Sequence, residues 1–566
     1  MHRVILAQRL VWLACFLRAS TCFAAADLAA GGSETRLNVS IRIDASIVKG
    51  EMRPIWRFFG YDEPNFTYMK DGRKLLSELS EFGGPVFIRT HHLLTSGDGK
   101  PALKWGSTGA YSEDSSGTAL YNWAILDRIF DTWDERHLQP FVEIGFMPEA
   151  LSVHPQDYPR DPPADRRVNP GVGFSYPPRD YSKWGELCYE WASHCNARYG
   201  TNKVGQWRWE VWNEPNINYW KGTPEEYHTL YDFSVEGVRR ALPSAIVGGP
   251  HTAGGPGGHF LRDFLTHCIS GTNHVTGRVG SPLDFIAFHA KGSPVFEDNH
   301  VRMGLANQLQ NIDAAFAVIG SFPELRSKPI FIGECDPEGC AACQGPQLGY
   351  RNGTMYSSYT AASFARIFEL ADAHHANLQG ALTWAFEFEG QPYFAGFRVL
   401  ASNGIDLPVL NAFRMLDKMS GSRVAVTSSS CQDLQTVLKN GVRSNPEVSA
   451  LATLSEKRCC LLVWHYHDDD LPGPEASVDL NLAGLPWPDE VLREEHYRVD
   501  ADHSNAYEFW KKLGSPAAPS AEQYAQLEKA GKLALLEKRA IRIDGGKFAR
   551  HIVLPRQAIS LLVFER

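Results

Sequence analysis

Two glutamates that each follow a predicted strand are the residues best suited to chemistry in this sequence. Glu214 lies in the segment Trp-Asn-Glu-Pro-Asn, directly after Asn213, and Glu334 ends the apolar segment Pro-Ile-Phe-Ile-Gly-Glu. Pro215 has no N–H to donate, so it should end the first of these strands. A carboxylic acid beside a hydroxyl-binding amide, with a second carboxylate across a pocket, can cleave a glycosidic bond. A strand-end glutamate that only faces water is the ordinary alternative for either residue alone.

Other polar residues end neighbouring predicted strands. His289 could orient a carboxylate or be a satisfied structural histidine, and Lys291 could contact sugar hydroxyls or a carboxylate, or be solvated. Arg89 lies just inside a predicted strand, where an unpaired charge is costly, so we expect it to support a carboxylate of the rim. Further glutamates near strand ends, which compete for the catalytic roles or bind substrate hydroxyls, are Glu143, Glu387 and Glu389.

Residues 51–420 alternate between short apolar segments and amphipathic helical segments, which predicts a (β/α)8 barrel, an α/β fold. In such a barrel the chemistry lies at the carboxyl ends of the strands. A doubly wound sheet would need a phosphate-binding Gly-rich turn after its first strand, but the Gly-rich segment 254–258 follows the fifth. The strand candidates are 55–60, 86–90, 140–146, 207–213, 245–249, 283–289, 329–333 and 381–386. Helical candidates follow most of these strands, for example 71–81, 123–136, 181–199, 225–241 and 357–374, and the last is 408–419.

Residues 421–566 have a different pattern, with short strands and no regular helices between them. This predicts a C-terminal antiparallel β-sandwich as an accessory domain. Residues 27–50 form a leader and an alternating strand, at 36–48, that we expect to pair with the sandwich. The sandwich strand candidates are 424–427, 448–454, 460–465, 476–481, 496–499, 540–543 and 559–564.

Composition indicates a globular exported protein. The chain has 566 residues, 43% hydrophobic and 21% charged, and a net charge of −9 without a long basic run, which argues against a nucleic-acid partner. Residues 1–26 have a basic start, an apolar run at 11–17 and small residues at 22–26, which predicts a signal peptide and a secreted or periplasmic location. No segment is expected to span a membrane, although Cys15 and Cys22 leave a lipid anchor open.

Two groups of residues raise the question of a metal. Cys335, Cys340 and Cys343 have a spacing that also occurs in iron–sulfur proteins, but a fourth ligand is missing. An oxidising compartment favours a local disulfide instead, without deciding the pairing. His465 and His467 share a predicted strand face before three aspartates, although an acidic loop after a strand is ordinary.

From about residue 50 onward the chain resembles glycoside hydrolase family 39, which contains β-D-xylosidases and α-L-iduronidases. The resemblance rests on the Asn-Glu-Pro motif at Glu214, the strand end at Glu334, the Arg-x-His motif at His91, and the segment 497–507 with Trp510. It implies that Glu214 is the acid/base, Glu334 the nucleophile and His91 a ligand of sugar hydroxyls. It further implies a retaining exo-glycosidase acting on oligosaccharides, with no metal and no cofactor.

The resemblance leaves the substrate divided. Xylosidases of the family have His-x-Tyr where this chain has His289-Ala-Lys291, and iduronidases have a lysine there that binds the uronate carboxylate. The segment at Glu334 is similar to the iduronidase Glu-Ala-Asp-Pro, whereas 212–220 and 389–397 resemble the xylosidase pattern. We predict a β-D-xylosidase. An α-L-iduronidase-like activity, an α-L-arabinosidase and a non-catalytic sugar-binding barrel are the alternatives.

The positions of the two glutamates also predict stereochemistry. Both side chains should converge over the barrel mouth, nearer the separation of about 5–5.5 Å typical of retaining enzymes than the about 6.5–9.5 Å of inverting ones. Two charges so close cannot both be ionised cheaply. We therefore expect Glu214 to hold its proton while Glu334 is charged.

Overall fold

The computed structural model describes residues 36–159 and 172–566, so the predicted signal peptide at 1–26 and the beginning of the leader lie outside the described residues. The strands are β1 (Leu37–Glu51), β2 (Phe58–Tyr61), β3 (Phe87–Thr90), β4 (Tyr111–Glu113), β5 (Ala119–Tyr121), β6 (Gln139–Ile144), β7 (Arg208–Val211), β8 (Ile246–Thr252), β9 (Phe285–Lys291), β10 (Val295–Glu297), β11 (His300–Arg302), β12 (Ile330–Asp336), β13 (Leu378–Ala381), β14 (Thr383–Trp384), β15 (Ala401–Ser402), β16 (Ile405–Asp406), β17 (Ser422–Ser428), β18 (Glu447–Leu454), β19 (Arg458–Tyr466), β20 (Ala476–Ala483), β21 (Val491–Val499), β22 (Ala534–Arg542), β23 (Phe548–Leu554) and β24 (Ile559–Glu565). The α-helices are α1 (Lys70–Leu79), α2 (Ala124–Asp134), α3 (Tyr181–Tyr199), α4 (Thr201–Val204), α5 (Pro224–Ala241), α6 (Phe260–Ser270), α7 (Leu305–Gly320), α8 (Thr354–His374), α9 (Pro408–Asp417), α10 (Leu434–Asn440), α11 (Ala506–Lys512) and α12 (Ala521–Gly531).

The predicted barrel is confirmed. Nine strands form one parallel sheet in the order β13-β12-β9-β8-β7-β6-β3-β2-β14. β13 and β14 are two halves of the eighth strand, because the chain pairs with β12 up to Ala381 and with β2 from Thr383. This change of partner within one strand closes the barrel and brings all the carboxyl ends of the strands to one rim.

Four phenylalanines fill the opposite end of the barrel. The rings of Phe141, Phe285 and Phe331 lie pairwise at 5.4 Å, and Phe58 lies 5.5 Å from Phe331. Gly380 has no side chain because a Cβ there would come within 2.8 Å of the rings of Phe331 and Phe58. Because these rings fill this end of the barrel, the polar side chains of the barrel interior lie at the rim.

The second nine-stranded sheet contains the C-terminal strands and β1, in the order β22-β21-β24-β19-β18-β17-β1-β20-β23. Its pairs are antiparallel except for β1 with β20, which is parallel. The sheet curls, since Arg550 of β23 contacts Glu537 of β22 at the opposite edge. An accessory β-sandwich is therefore present. It contains one parallel pair of strands, whereas the prediction is entirely antiparallel. The predicted domain boundaries stay predictions.

The strand β19 is buried on both faces. Cys459, Leu461 and Val463 lie in the core of the sandwich, whereas Leu462 and Trp464, which alternate with them, belong to the core that contains the barrel. Because successive side chains of a strand point to opposite faces, one strand serves two cores.

Two local predictions differ from the structure. The C-terminal region contains the helices α10, α11 and α12, of 7, 7 and 11 residues, where the pattern predicts no regular helix. The strand β7 ends at Val211 rather than at Asn213, because Trp212 has a φ of 69° and leaves the pleat. No α-helix among the described residues is long and apolar enough to cross a bilayer.

Candidate active site

The loop after β7 carries Glu214 to the rim. Trp212 and Glu214 both have left-handed backbone conformations, with φ of 69° and 44°, and the Glu214 N–H donates to the His251 carbonyl at 3.1 Å. Trp212 is buried, and its indole N–H donates to the Tyr219 carbonyl at 3.0 Å. The Asn-Glu-Pro turn is therefore anchored by β8 on one side and by the indole on the other.

Glu334 and Asp336 are among the last residues of β12, and both contact the amine of Lys291. Lys291 Nζ is 2.8 Å from Glu334 Oε2 and also contacts Asp336 Oδ1. The other oxygen of Asp336 accepts the backbone N–H of Trp384 at 2.7 Å. These contacts hold Lys291 against the two carboxylates. Of the roles that the sequence left open for Lys291, the structure shows contact with carboxylates of the protein itself.

Arg89 is completely buried and joins the carboxylates of three strands. Its guanidinium contacts Glu210 at 2.5 Å, Glu143 at 3.0 Å and Glu334 at 3.1 Å. It also donates to Asn213 Oδ1 at 2.9 Å, while Asn213 Nδ2 has no partner among the described residues. The prediction that Arg89 supports a rim carboxylate is confirmed, and the amide nitrogen of Asn213 is buried beside that carboxylate cluster without a partner among the described residues.

A chain of side chains leads from Glu210 to Glu214. His251 Nε2 contacts Glu210, His251 Nδ1 is 3.1 Å from His289 Nε2, and His289 Nδ1 is 2.9 Å from Glu214 Oε1. Burial lowers the pKa of His251 to about 4 and that of His289 well below its ordinary value, so both rings are neutral. Gly333 makes room for the chain, because a Cβ there would overlap the His251 ring.

Neutral rings fix the direction of these hydrogen bonds. Burial raises the pKa of Glu210 but the charge of Arg89 lowers it further, so Glu210 is ionised and accepts from His251 Nε2–H. His251 Nδ1 then accepts from His289 Nε2–H, which leaves His289 Nδ1 as an acceptor facing Glu214. A protonated Glu214 satisfies that acceptor, so the network favours the acid form of Glu214.

The two rim glutamates differ in protonation. Burial and the charge of Glu334 raise the pKa of Glu214 to about 7. Burial alone would raise the pKa of Glu334, but the charges of Lys291 and Arg89 and the hydrogen bond from His91 hold it well below its ordinary value. One oxygen of each glutamate and one nitrogen of His289 lie within 4.8 Å of one another. An acid and a carboxylate thus face the same small volume.

His91 lies beside the carboxylates as well. Its Nδ1 is 2.6 Å from Glu143, and its Nε2 is 3.4 Å from Asp62 and 3.6 Å from Glu334. Burial would lower the pKa of His91, but Glu143 raises it to about 9, so the ring is a cation at neutral pH. The ring centroid of Trp384 is 4.3 Å from that of His91, which adds an aromatic surface to the site.

Two glutamates near the end of the eighth strand are engaged elsewhere. Glu389 accepts the backbone N–H of Asp71 at 3.0 Å, in the first turn of α1, where Met69 provides no side-chain cap. Glu387 accepts the backbone N–H of Gly404, and burial raises its pKa to about 8. The structure therefore brings His91, Asn213, Glu214, His289, Lys291 and Glu334 together, but not Glu389.

Sequence reasoning missed four residues of this site. Asp62 follows β2 directly and pairs with Lys104, so the rule that found Glu334 also applied to Asp62. Glu210 is a charged residue inside an apolar strand, a signal of its own. His251 lies beyond the predicted fifth strand because β8 continues to Thr252, and nothing in the sequence around Lys104 indicates its contact.

The possible metal groups differ in outcome. Cys340 and Cys343 form a disulfide, as the local-disulfide prediction allowed, while Cys335 is a buried free thiol. His465 Nδ1 lies 3.1 Å from the backbone carbonyl of Leu554, and His467 Nε2 lies 2.8 Å from that of Arg443. The two imidazoles therefore bind different backbone carbonyls. Glu214, His289 and Glu334 could geometrically hold a cation, but Lys291 and Arg89 already fill that side of Glu334 with positive charge.

A model of glycosyl hydrolases family 39 matches residues 39–547. The chain belongs to this family. It is 26% identical over 507 residues to a beta-xylosidase of Caldicellulosiruptor saccharolyticus, covering 88% of this chain and 93% of the relative. It is 25% identical over 538 residues to the alpha-L-iduronidase of Mus musculus, covering 89% of this chain and 77% of the relative.

A solved beta-xylosidase structure has the same fold. The monomeric beta-xylosidase of Caulobacter crescentus CB15 matches with a TM-score of 0.72 at 20% identity, over 93% of this chain and 99% of that chain. At this identity the likeness shows the fold alone. Membership of the family, together with the paired glutamates, makes the protein a glycosidase.

Proposed function

We propose that this protein is a retaining exo-glycosidase that releases terminal β-D-xylosyl residues from xylo-oligosaccharides. The observation that carries the proposal is the opposite protonation of Glu214 and Glu334, whose oxygens approach within 4.8 Å. That distance favours direct attack by a carboxylate over attack by an intervening water. A non-catalytic sugar-binding barrel has no need of such a pair.

The mechanism is a double displacement. Glu334 attacks the anomeric carbon while Glu214 gives its proton to the departing glycosidic oxygen, forming a glycosyl ester on Glu334. Esterification removes the charge of Glu334, which had helped to raise the pKa of Glu214. Glu214 is then a carboxylate and takes a proton from water, whose oxygen attacks the anomeric carbon and releases Glu334.

The charge of the site supports an uncharged sugar. Ionised carboxylates outnumber cations around the rim by one, and Lys291 already contacts Glu334 and Asp336. A uronate would add another negative charge to this excess. Glu214 and Glu63, whose pKa values burial raises to about 7 and about 8, hold protons, so the ionised carboxylates are Asp62, Glu143, Glu210, Glu334 and Asp336, and the cations are Arg89, Lys104, Lys291 and the protonated His91.

A uronide is the second candidate, because one observation favours it. The side chain of Lys291 lies against Glu334, within reach of a substrate bound there, and Lys104 adds a second amine near Asp62. A charge-assisted hydrogen bond contributes about 1.5–3 kcal/mol, enough to reverse a modest preference. An α-L-arabinoside remains an alternative for the same two glutamates.

A panel of activated glycosides tests the proposal. Nitrophenyl β-D-xyloside should be cleaved fastest, ahead of nitrophenyl α-L-arabinofuranoside and methylumbelliferyl α-L-iduronide. Proton NMR before mutarotation should show β-xylose as the first product. Faster cleavage of the iduronide would replace the xyloside by the second candidate, and α-xylose appearing first would exclude the double displacement.

We further propose that the protein is secreted or periplasmic, on the strength of the signal-like segment at 1–26. Expression of the full chain with cell fractionation tests this. The active enzyme should be found outside the cytoplasm with a shortened N-terminus. Full-length enzyme that stays in the cytoplasm would contradict it.

A further inference from the structure

A second cluster of possible ligands lies between α5, α6 and the loop that follows α6. Asp232 belongs to α5, His267 to α6 and His274 to the loop. Each offers one ligand atom, and these atoms lie within 4.8 Å of one another. The cluster shares no residue with the active site, and glycosidic cleavage makes no use of it.

Asp232 is held in place from several sides. His267 Nε2 is 3.0 and 3.2 Å from its two oxygens, and the backbone N–H of His274 donates to Oδ2 at 2.8 Å. The Ser281 hydroxyl donates to Oδ1. Hydrogen bonds of this kind to a ligating carboxylate orient it in protein metal sites.

The loop that carries His274 is ordered by its own side chains. Asn273 accepts the backbone N–H groups of Val275 and Thr276 at 3.1 and 2.9 Å, and its amide donates to Ser281 at 2.8 Å. His274 is therefore presented by a structured turn. Its side chain is 28% exposed, so an ion has a path from solvent.

Two more residues extend the cluster. Glu225 lies 3.0 Å from His274 Nε2 and 3.5 Å from His228 Nδ1. His228 is buried, with 7% of its surface exposed, and its Nε2 has no hydrogen-bond partner among the described residues. The His267 ring stacks on the His228 ring, with centroids 4.5 Å apart, and on the His274 ring, with centroids 5.7 Å apart. Three imidazoles and two carboxylates thus share one small region.

We propose that Asp232, His267 and His274 bind a divalent transition-metal ion of the zinc type, with Glu225 as the fourth ligand. Imidazole nitrogens and carboxylate oxygens suit such an ion, and the two carboxylates balance its charge. The ion ties α5 to α6 and the following loop, so the site is structural rather than catalytic. A hydrogen-bonded cluster that takes no ion is the competing account.

Zinc titration of the full chain after treatment with a chelator tests this. Calorimetry should give one equivalent bound, and His274→Ala and His267→Gln should each weaken binding by about tenfold or more. His259→Ala is the matched control, since His259 is an exposed histidine at the start of the same helix with no capping bond. Glu334→Gln separates this site from the catalytic cluster and should leave zinc binding unchanged.

Thermal unfolding gives a second readout. An ion that binds only the folded state raises Tm, so zinc should raise Tm of the wild type, His259→Ala and Glu334→Gln, but not of His274→Ala. The proposal is overturned if no zinc binds, or if His274→Ala and His267→Gln bind it like the wild type. Loss of the zinc in Glu334→Gln would equally overturn it, by assigning the ion to the catalytic pair.

Discussion

His289 Nδ1 lies 2.9 Å from Glu214 Oε1, and the neutral histidine ring presents an acceptor to that oxygen. The ring owes this tautomer to His251, which accepts from the opposite nitrogen at 3.1 Å and is itself bound to Glu210. The ionised carboxylate of Glu210, inside the barrel, thus promotes the acid form of Glu214 at the rim. His251 is accordingly a positioning residue.

Replacing His251 with Phe tests this role. Without its acceptor, His289 can turn its N–H toward Glu214, which stabilises the carboxylate and lowers the pKa of Glu214 from about 7. The alkaline limb of kcat/KM should move to lower pH, and substrates with poor leaving groups should lose more activity than nitrophenyl glycosides. An equal loss on all substrates, with no shift of the limb, would point to a merely structural role.

The two glutamates should differ when each is truncated. Glu334→Ala removes the nucleophile and should abolish activity on every substrate. Glu214→Ala should keep much of the first step with an activated leaving group, since that group needs no proton, and azide should restore turnover as a glycosyl azide. Steady-state rates and mass spectrometry of the products measure both effects. A Glu214→Ala variant that is equally inactive on activated and unactivated substrates, without azide rescue, would reverse the assignment.

The charge of Lys291 predicts a shift of the whole pH profile. It lowers the pKa of both Glu214 and Glu334, so Lys291→Met should raise both values. Activity needs Glu334 ionised and Glu214 protonated, so the acid limb and the alkaline limb should both move to higher pH. Lys104→Met is the control, because Lys104 pairs with Asp62 and should move the limbs less. Limbs that stay in place in Lys291→Met would contradict the electrostatic account.

Arg89 predicts a large effect on stability. Arg89→Met leaves Glu210 buried beside a neutral histidine, and it takes one cation from Glu143, which keeps His91, and one from Glu334, which keeps Lys291. This should cost about 3–5 kcal/mol of unfolding free energy. Arg240→Met is the control, since its ion pair with Glu186 is 43% and 46% exposed and should contribute under about 1 kcal/mol. Denaturant unfolding measures both. Similar losses for the two variants would show that the buried network does not depend on Arg89.

Local pattern predicted the barrel and its two principal glutamates. A run such as Ile-Phe-Ile-Gly indicates a buried strand, and a polar residue directly after it must lie at the rim, since all barrel strands end on the same side. Glu214 and Glu334 follow from this geometry without knowledge of any distant contact. The same logic applied to Asp62, which also follows a strand.

The tertiary structure decided what these residues do to each other. Glu389 also lies near a strand end in the sequence, yet it accepts the backbone N–H of Asp71 in the first turn of α1, because the chain after the eighth strand passes over that helix end. The sequence of residues 245–252 does not indicate that His251 joins Glu210 to His289, since these residues lie on neighbouring strands that are far apart in sequence. Residue types and spacing determine which carboxyls reach the rim. The pKa values of those carboxyls depend on burial and on charges that folding brings together. Only the folded barrel makes one of them an acid and the other a carboxylate.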